Sequence, residues 1–247
     1  MDRRLGICVR PITQLWDKPD ALEAADELLC GWSYEVLEEK GGFLRVRTHY
    51  DYEGWMEAGE YFPIPERYEE DKGLYMVSAH MADVLAEPRV QGRRMSTLFA
   101  GSLAWISEES RTEDDWIADR ALSFLGTQYR WGGKTAMGID CSGLAFMSYL
   151  MCGILIYRDA RIMPGFPVRE IPMGNPAETA KKGDLLFFPG HVAISLGEGR
   201  FVHSTAYPGC GCVTVNSLNE EDPDYREDLK ERLIAVGSIF PRQFPQQ

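Results

Sequence analysis

Residues 183–205 read GDLLFFPGHVAISLGEGRFVHST, and their pattern sets the architecture of the second half of the chain. Leu185-Leu186-Phe187-Phe188 is an apolar run of strand length, and Pro189-Gly190 turns the chain. His191-Val192-Ala193-Ile194-Ser195-Leu196 then alternates with period two, which puts His191, Ala193 and Ser195 on one face and the aliphatic residues on the other. Gly197-Glu198-Gly199 reads as a three-residue hairpin loop and Arg200–Ser204 as the returning strand. With Leu196 opposite Arg200, Ala193 lies opposite His203. His191 and His203 are then diagonal neighbours on one face, about 7–8 Å apart at the backbone. A one-residue slip would separate them. Two histidines on one small polar patch of an apolar hairpin point to chemistry rather than packing.

Upstream stands Gly138-Ile139-Asp140-Cys141-Ser142-Gly143, followed by LAFMSYLMCGI. Residues 142–151 are apolar on nearly every side of a helix, so a buried helix is expected there, ending at Gly153. Cys141 falls at its N-terminus, where unpaired N–H groups and the helix dipole favour an anion. The expectation is a thiol pKa below the usual ~8.5. A nucleophilic cysteine needs a base to take its proton and a third group to orient that base. Cys141, His191 and His203 supply the three. An earlier helix is expected from Thr112, a plausible N-cap, through Trp116-Ile117, Ala121-Leu122 and Phe124-Leu125 to Gly126. Gly133-Lys134-Thr135 has the tail of a phosphate loop, but that motif needs a glycine where Gln128 stands. Nucleotide binding is excluded.

The first half reads as small β modules. Leu5–Arg10 is a short strand, Gly41-Gly42 joins two strand-like runs between Ser33 and Thr48, and a further turn is expected at Glu53-Gly54. Short strands at this spacing suggest a small barrel. A weak repeat follows: Val84–Pro88 matches Leu15–Pro19, and Leu98-Phe99-Ala100-Gly101 matches Leu28-Leu29-Cys30-Gly31. The second copy runs out after Trp105-Ile106, and the charged stretch Ile64–Gly73 is the expected connector. Three segments result: 1–66, a truncated second module at 67–111, and 112–247.

The 247 residues are 45% hydrophobic and 26% charged, which excludes a disordered chain. The net charge of −12 makes nucleic acid or an anionic membrane an unsuitable partner. Residues 1–115 hold 13 basic and 24 acidic side chains, whereas 116–247 hold 13 and 14, so almost all of that charge lies on the first half. No apolar run approaches the ~20 residues of a membrane span. MDRRLGICVRPITQLW has no apolar core of a leader, so a cytoplasmic location is expected. The 6 cysteines follow no disulfide spacing and are expected to be reduced. Cys210-Gly211-Cys212 with His203 lacks the second ligand pair of a zinc site, so no metal and no cofactor are expected.

Tyr129-Arg130-Trp131-Gly132-Gly133, Asp140-Cys141-Ser142-Gly143-Leu144, Gly183–Phe188, His191–Gly197 and Phe201–Ser204 resemble, in order, the motifs of the NlpC-type cell-wall cysteine peptidases. The first half resembles bacterial SH3-like domains. The resemblance implies a papain-like α+β catalytic domain preceded by all-β SH3-like barrel modules. It also implies Cys141 as nucleophile, His191 as base and His203 as the orienting residue, with the Cys141 N–H and the Tyr129 side chain flanking the oxyanion. SH3-like modules ahead of such a domain look like the γ-D-glutamyl-L-diamino acid endopeptidases of peptidoglycan recycling. Those enzymes cut L-Ala-γ-D-Glu from the diamino acid, meso-diaminopimelate or lysine, and require a free N-terminal alanine. By the same resemblance Asp140 and Ser142 hold that ammonium together with an acidic and an aromatic residue of the first module. Glu57, Tyr50, Tyr52 and Tyr61 are the candidates, and the sequence does not choose among them. The competing readings are an acyltransferase or amidase using the same three residues, and a non-catalytic binder of wall peptides.

Overall fold

The computed structural model describes residues 4–64, 73–77, 81–85, 94–106 and 117–239. The chain divides into two compact units, Met1–Glu113 with Arg130–Gly138, and Asp114–Tyr129 with Ile139–Gln247.

In the first unit six strands form one antiparallel sheet. They are β1 (Arg4–Ile7), β2 (Ile12–Trp16), β3 (Ala24–Leu29), β4 (Ser33–Lys40), β5 (Phe43–Thr48) and β6 (Glu53–Glu57), ordered β1-β4-β5-β6-β2-β3. Strand β5 shows how the pattern builds the core. Leu44, Val46 and Thr48 point inward, while Arg45 and Arg47 hold Glu53 of the next strand. Gly41 and Gly42 have φ of 59° and 84°, the positive pair that a two-residue turn between β4 and β5 requires. The turn expected at Glu53-Gly54 comes earlier in the chain. Asp51 takes the left-handed conformation at φ 58°, and the Thr48 hydroxyl oxygen accepts the Tyr52 N–H at 3.0 Å. Gly54 instead lies within β6, where a Cβ would stand 3.0 Å from the Leu15 Cβ. Its smallness serves strand approach rather than turning.

Four more strands, β7 (Gly73–Met76), β8 (Met81–Leu85), β9 (Arg94–Phe99) and β10 (Leu103–Ile106), pair as β7 with β10 and β8 with β9. They repeat β1 to β4 in order, β7 and β8 starting 69 residues on and β9 and β10 starting 70 residues on. The repeat extends to irregularities: β2 and β3 shift register between Leu15 and Trp16, β8 and β9 between Val84 and Leu85. Gly31 and Gly101 share a φ near +85° (83° and 87°) and donate at 2.8 Å to Cys8 O and Val77 O respectively. The two copies are joined by the Trp32 indole N–H on Gly101 O at 2.8 Å and the Leu103 N–H on Cys30 O at 2.8 Å. Most of the expected connector, the Ala86–Pro88 part of the repeat and the helix start at Thr112 lie outside the described residues.

Residues 130–138 bring the short strand β11 (Lys134–Thr135), paired with β12 (Gly138–Ile139), into the first unit. Lys134 is fully buried there. Its ammonium lies 2.7 Å from Asp26 Oδ1, donates to the Tyr50 hydroxyl at 3.0 Å, and sits over the Trp32 and Tyr50 rings. The Tyr50 hydroxyl in turn donates to Asp26 Oδ2 at 2.5 Å. Glu27 accepts the Lys134 backbone N–H at 2.9 Å and pairs with Arg130.

The second unit places helices on an antiparallel sheet. The helices are α1 (Ile117–Leu122), α2 (Cys141–Leu150), α3 (Pro176–Thr179) and α4 (Glu227–Arg232). The strands are β13 (Arg169–Ile171), β14 (Leu185–Phe188), β15 (His191–Gly197), β16 (Arg200–Ser204), β17 (Val213–Ser217) and β18 (Ala235–Ser238), ordered β13-β18-β14-β15-β16-β17. Helix α2 packs on β15 and β16. Its Leu144, Phe146, Met147 and Tyr149 are all buried, so the all-round apolar run is satisfied. Gly126 and Gly153 take φ of 79° and 76° after α1 and α2, the left-handed stops expected of them. Among the described residues no helix is long and apolar enough to cross a membrane.

Candidate active site

The hairpin reaches its expected face by an unexpected route. Ile194 pairs with Val202 and Ser195 with Phe201, but Gly197, not Leu196, pairs with Arg200. A bulge absorbs the extra residue, and the loop shrinks to Glu198 and Gly199, whose φ of 53° and 78° make the mirror-image turn favoured between twisted strands. The register toward the histidines is kept, so His191 and His203 share a face. His191 Nε2 lies 2.7 Å from His203 Nδ1.

Asn216 on β17, which the sequence reading missed, completes the row. His203 pairs with Thr214 and Phe201 with Asn216, so Asn216 is diagonal to His203 on the same face. The period-two pattern of Val213–Ser217 carried that signal. The Asn216 amide donates its Nδ2–H to Asp224 O at 3.0 Å, which turns Oδ1 toward His203 Nε2 at 3.0 Å. This sets the tautomers in sequence. His203 donates from Nε2, so its Nδ1 accepts from His191 Nε2–H. His191 then presents an unprotonated Nδ1. Both rings are neutral, since burial pushes His191 down to about 3, helped by His203, and pushes His203 down to about 4 against the Asn216 hydrogen bond.

Cys141 is the first residue of α2, whose N-cap Asp140 accepts the Gly143 N–H at 2.6 Å. The backbone N–H groups of Ser142 and of Val192, the residue after His191, both bear on the sulfur and favour the thiolate. Burial outweighs them. It pushes the Cys141 thiol up to about 11, with the Asp140 carboxylate adding to the rise, so the lowered pKa expected from the helix terminus is not what the site has. At neutral pH the Cys141 thiol and the His191 and His203 imidazoles are all neutral.

Arg158, also missed from the sequence, underpins the first turn of α2. It is 2% exposed and donates to both Asp140 oxygens, at 3.2 and 3.3 Å, and to the Ser142 hydroxyl at 2.7 Å. No periodicity announces a buried arginine in a loop. Tyr129 lies close enough to Cys141 and Asp140 for their charges to raise its hydroxyl pKa, which burial pushes up to about 12. Cys141, His191, His203, Tyr129, Asp140 and Ser142 thus all belong to the second unit. Glu57 and Tyr61 belong to the first: Glu57 is exposed at the end of β6, and the Tyr61 hydroxyl donates to Leu5 O at 3.2 Å. Tyr50 is engaged with Asp26, and the Tyr52 hydroxyl donates to Ala25 O at 3.5 Å. Among the described residues no group of three or more His, Cys, Asp or Glu side chains is placed to hold a metal.

The chain is 36% identical over 276 aligned positions to Dipeptidyl-peptidase 6 of Lysinibacillus sphaericus, covering 95% of this chain and 99% of that protein. The NlpC/P60 family profile matches residues 126–225. The chain belongs to the NlpC/P60 family. Within this NlpC/P60 protein, residues 15–60 match the bacterial dipeptidyl-peptidase Sh3 domain. Peptidoglycan endopeptidase RipB of Mycobacterium tuberculosis (strain ATCC 25618 / H37Rv) is 30% identical over 130 residues, 45% of this chain and 50% of RipB. An NlpC/P60 family protein from Bacillus cereus ATCC 10987 has the same fold, with a TM-score of 0.72 over 96% of this chain and 100% of that one, at 20% identity. The protein is a peptidase of a family with peptidoglycan hydrolases among its members, and an SH3-like β unit precedes its NlpC/P60 fold.

The neutral histidines make stability depend on acid. A histidine held below its unfolded pKa of ~6.5 lets the unfolded chain bind the proton first, so stability is present above 6.5 and falls as pH drops toward the folded value. For His203, with a folded pKa of about 4 and 1% exposure, the loss by pH 5 is about 2 kcal/mol. His203→Asn should therefore flatten the decline of the urea midpoint between pH 6.5 and 5. A slope identical to that of the wild type would contradict a neutral His203.

Proposed function

We propose that this protein is a cysteine endopeptidase that hydrolyses the bond between γ-D-Glu and the diamino acid in peptidoglycan stem peptides bearing a free N-terminal L-Ala. The observation that carries the reading is the row His191–His203–Asn216, which leaves one lone pair, on His191 Nδ1, beside the residue whose N–H meets the Cys141 sulfur. The Cys141 sulfur attacks the γ-carbonyl carbon as His191 takes the thiol proton. The oxyanion is met by the Cys141 N–H and the Tyr129 hydroxyl. His191 passes the proton to the leaving amine, and water then releases the thioester, regenerating the thiol. The names of the relatives, a dipeptidyl-peptidase and a peptidoglycan endopeptidase, support the substrate class. Ammonium recognition is assigned to Asp140 and Ser142 at the first turn of α2. A free α-ammonium exists only on peptides already cut from the glycan strand, so the substrate is a wall fragment and its cytoplasmic recycling is the proposed setting. Activity found only in the medium or envelope fraction would contradict that setting.

The test is incubation with L-Ala-γ-D-Glu-meso-diaminopimelate and with its lysine analogue, the products being separated by mass. Release of L-Ala-γ-D-Glu is the expected result. N-acetylation of the alanine should lower kcat/KM by about 30- to 150-fold, the worth of a charge-assisted hydrogen bond of roughly 2–3 kcal/mol. Equal turnover of the acetylated peptide would remove the ammonium from the recognition scheme.

A further inference from the structure

Cys210 and Cys212 take no part in the row described above, yet the fold brings them together. Two residues separated by one in an extended strand have Cα atoms about 6.5–7 Å apart. Here Gly209 and Gly211 both take left-handed φ, 91° and 63°, and the Tyr207 carbonyl accepts the N–H groups of Cys210 and Gly211 at 3.0 and 3.3 Å. The chain folds back on itself, and the two sulfurs stand 3.5 Å apart, Cys210 exposed and Cys212 half-buried. Only glycine adopts such angles at no steric cost, so the closure is written into the Gly-Cys-Gly-Cys order. The Arg226 guanidinium, stacked 4.4 Å over the Tyr207 ring, interacts electrostatically with Cys210.

The same tripeptide is tied to the site through its backbone. Gly211 O accepts the Tyr129 N–H at 2.8 Å, Cys212 bridges to Gln128, and Cys212 O accepts the Thr205 N–H, at the end of the His203 strand, at 3.1 Å. A disulfide needs its sulfurs at about 2.05 Å, so closing this pair pulls on the one residue between them, whose carbonyl holds Tyr129.

We infer that Cys210 and Cys212 are a redox-active dithiol, oxidised by small-molecule disulfides, whose closure loosens the backbone hydrogen bond that holds Tyr129. In the first step the Cys210 thiolate attacks one sulfur of the external disulfide, forms a mixed disulfide and releases one thiolate. Cys212, deprotonated, then attacks the Cys210 sulfur and releases the second. Two electrons pass from the protein pair to the external disulfide, and the two cysteine protons end on the two released thiols.

The experiment uses the full chain carrying Cys141→Ala, which removes that thiol as a competing target, exposed to oxidised glutathione. The expected result is a peptide containing Cys210 and Cys212 that has lost two hydrogens and carries no adduct. The further change Cys212→Ser should instead trap glutathione on Cys210. A stable adduct on the pair when both thiols are present, or no reaction there, would overturn the dithiol. Hydrogen exchange of the peptide spanning Gln128 and Tyr129 reads the coupling, and oxidation should speed it by about tenfold, reversibly with a thiol reductant. Exchange unchanged by oxidation would overturn the link to Tyr129.

Discussion

Replacing Cys141 with alanine should abolish cleavage of the muropeptide substrate, a fall of about 10⁶ in kcat if the row acts as a unit in the manner of other nucleophile–base sets. Within the second unit no other thiol stands at the start of α2: Cys152 follows its far end, and Cys210 and Cys212 form their own pair. The variant should keep its urea midpoint, because an alanine at the first position of α2 leaves the Asp140 cap and the Arg158 bonds intact. His191→Ala should cost nearly as much, since it removes the group assigned to take the proton. Asn216→Ala should cost less, about 10- to 100-fold, because it frees the tautomer order without removing a reacting atom. The resting state shapes the pH profile too. With the thiol pushed up to about 11 and His191 down to about 3, neither titrates near neutrality, so kcat/KM should be flat across pH 6 to 8. Robust hydrolysis by the alanine variant would end the cysteine mechanism.

Local pattern carried much of this site. Period-two alternation through His191–Leu196 and a short loop before Arg200 placed His191 and His203 on one face, and the apolar run after Cys141 placed a buried helix. The Leu196 bulge was hidden because Glu198 is a non-glycine residue at positive φ, and no composition rule marks it. Arg158 was hidden for a different reason: its partners Asp140 and Ser142 are distant in sequence, and a buried guanidinium is specified by tertiary geometry alone. The thiol pKa went the wrong way because a helix terminus is visible in sequence, whereas the burial that opposes it is not. Gly133-Lys134-Thr135 departs from the phosphate-loop pattern at Gln128, and nothing local reveals that Lys134 answers Asp26, far back in the first β module.

That last pairing leads to the second large effect. Asp26→Ala should destabilise the protein by about 3–5 kcal/mol, measured by urea unfolding at neutral pH, because it removes one partner of a fully buried ion pair. The Tyr50 hydroxyl and the two ring faces remain among its neighbours, but cation–π contacts contribute about 0.5–2 kcal/mol, less than breaking a buried ion pair costs. The pair is not itself a large net gain. Exchanging both partners for apolar residues of similar volume is often neutral or favourable, so Asp26→Leu with Lys134→Met should recover most of what either single change loses. A cycle in which the two single losses simply add would show that the charges do not act on one another. The consequence reaches the chemistry through chain continuity. Residues 130–138 are held in the β unit by Lys134 and by Arg130 on Glu27, and Ile139-Asp140-Cys141 follow directly. Loosening Lys134 therefore frees the strand that delivers the nucleophile. Asp26→Ala should lower kcat under conditions where the variant is still folded, and the double apolar variant should restore it. A variant that is destabilised yet turns over at the wild-type rate would confine Asp26 and Lys134 to holding the β unit together.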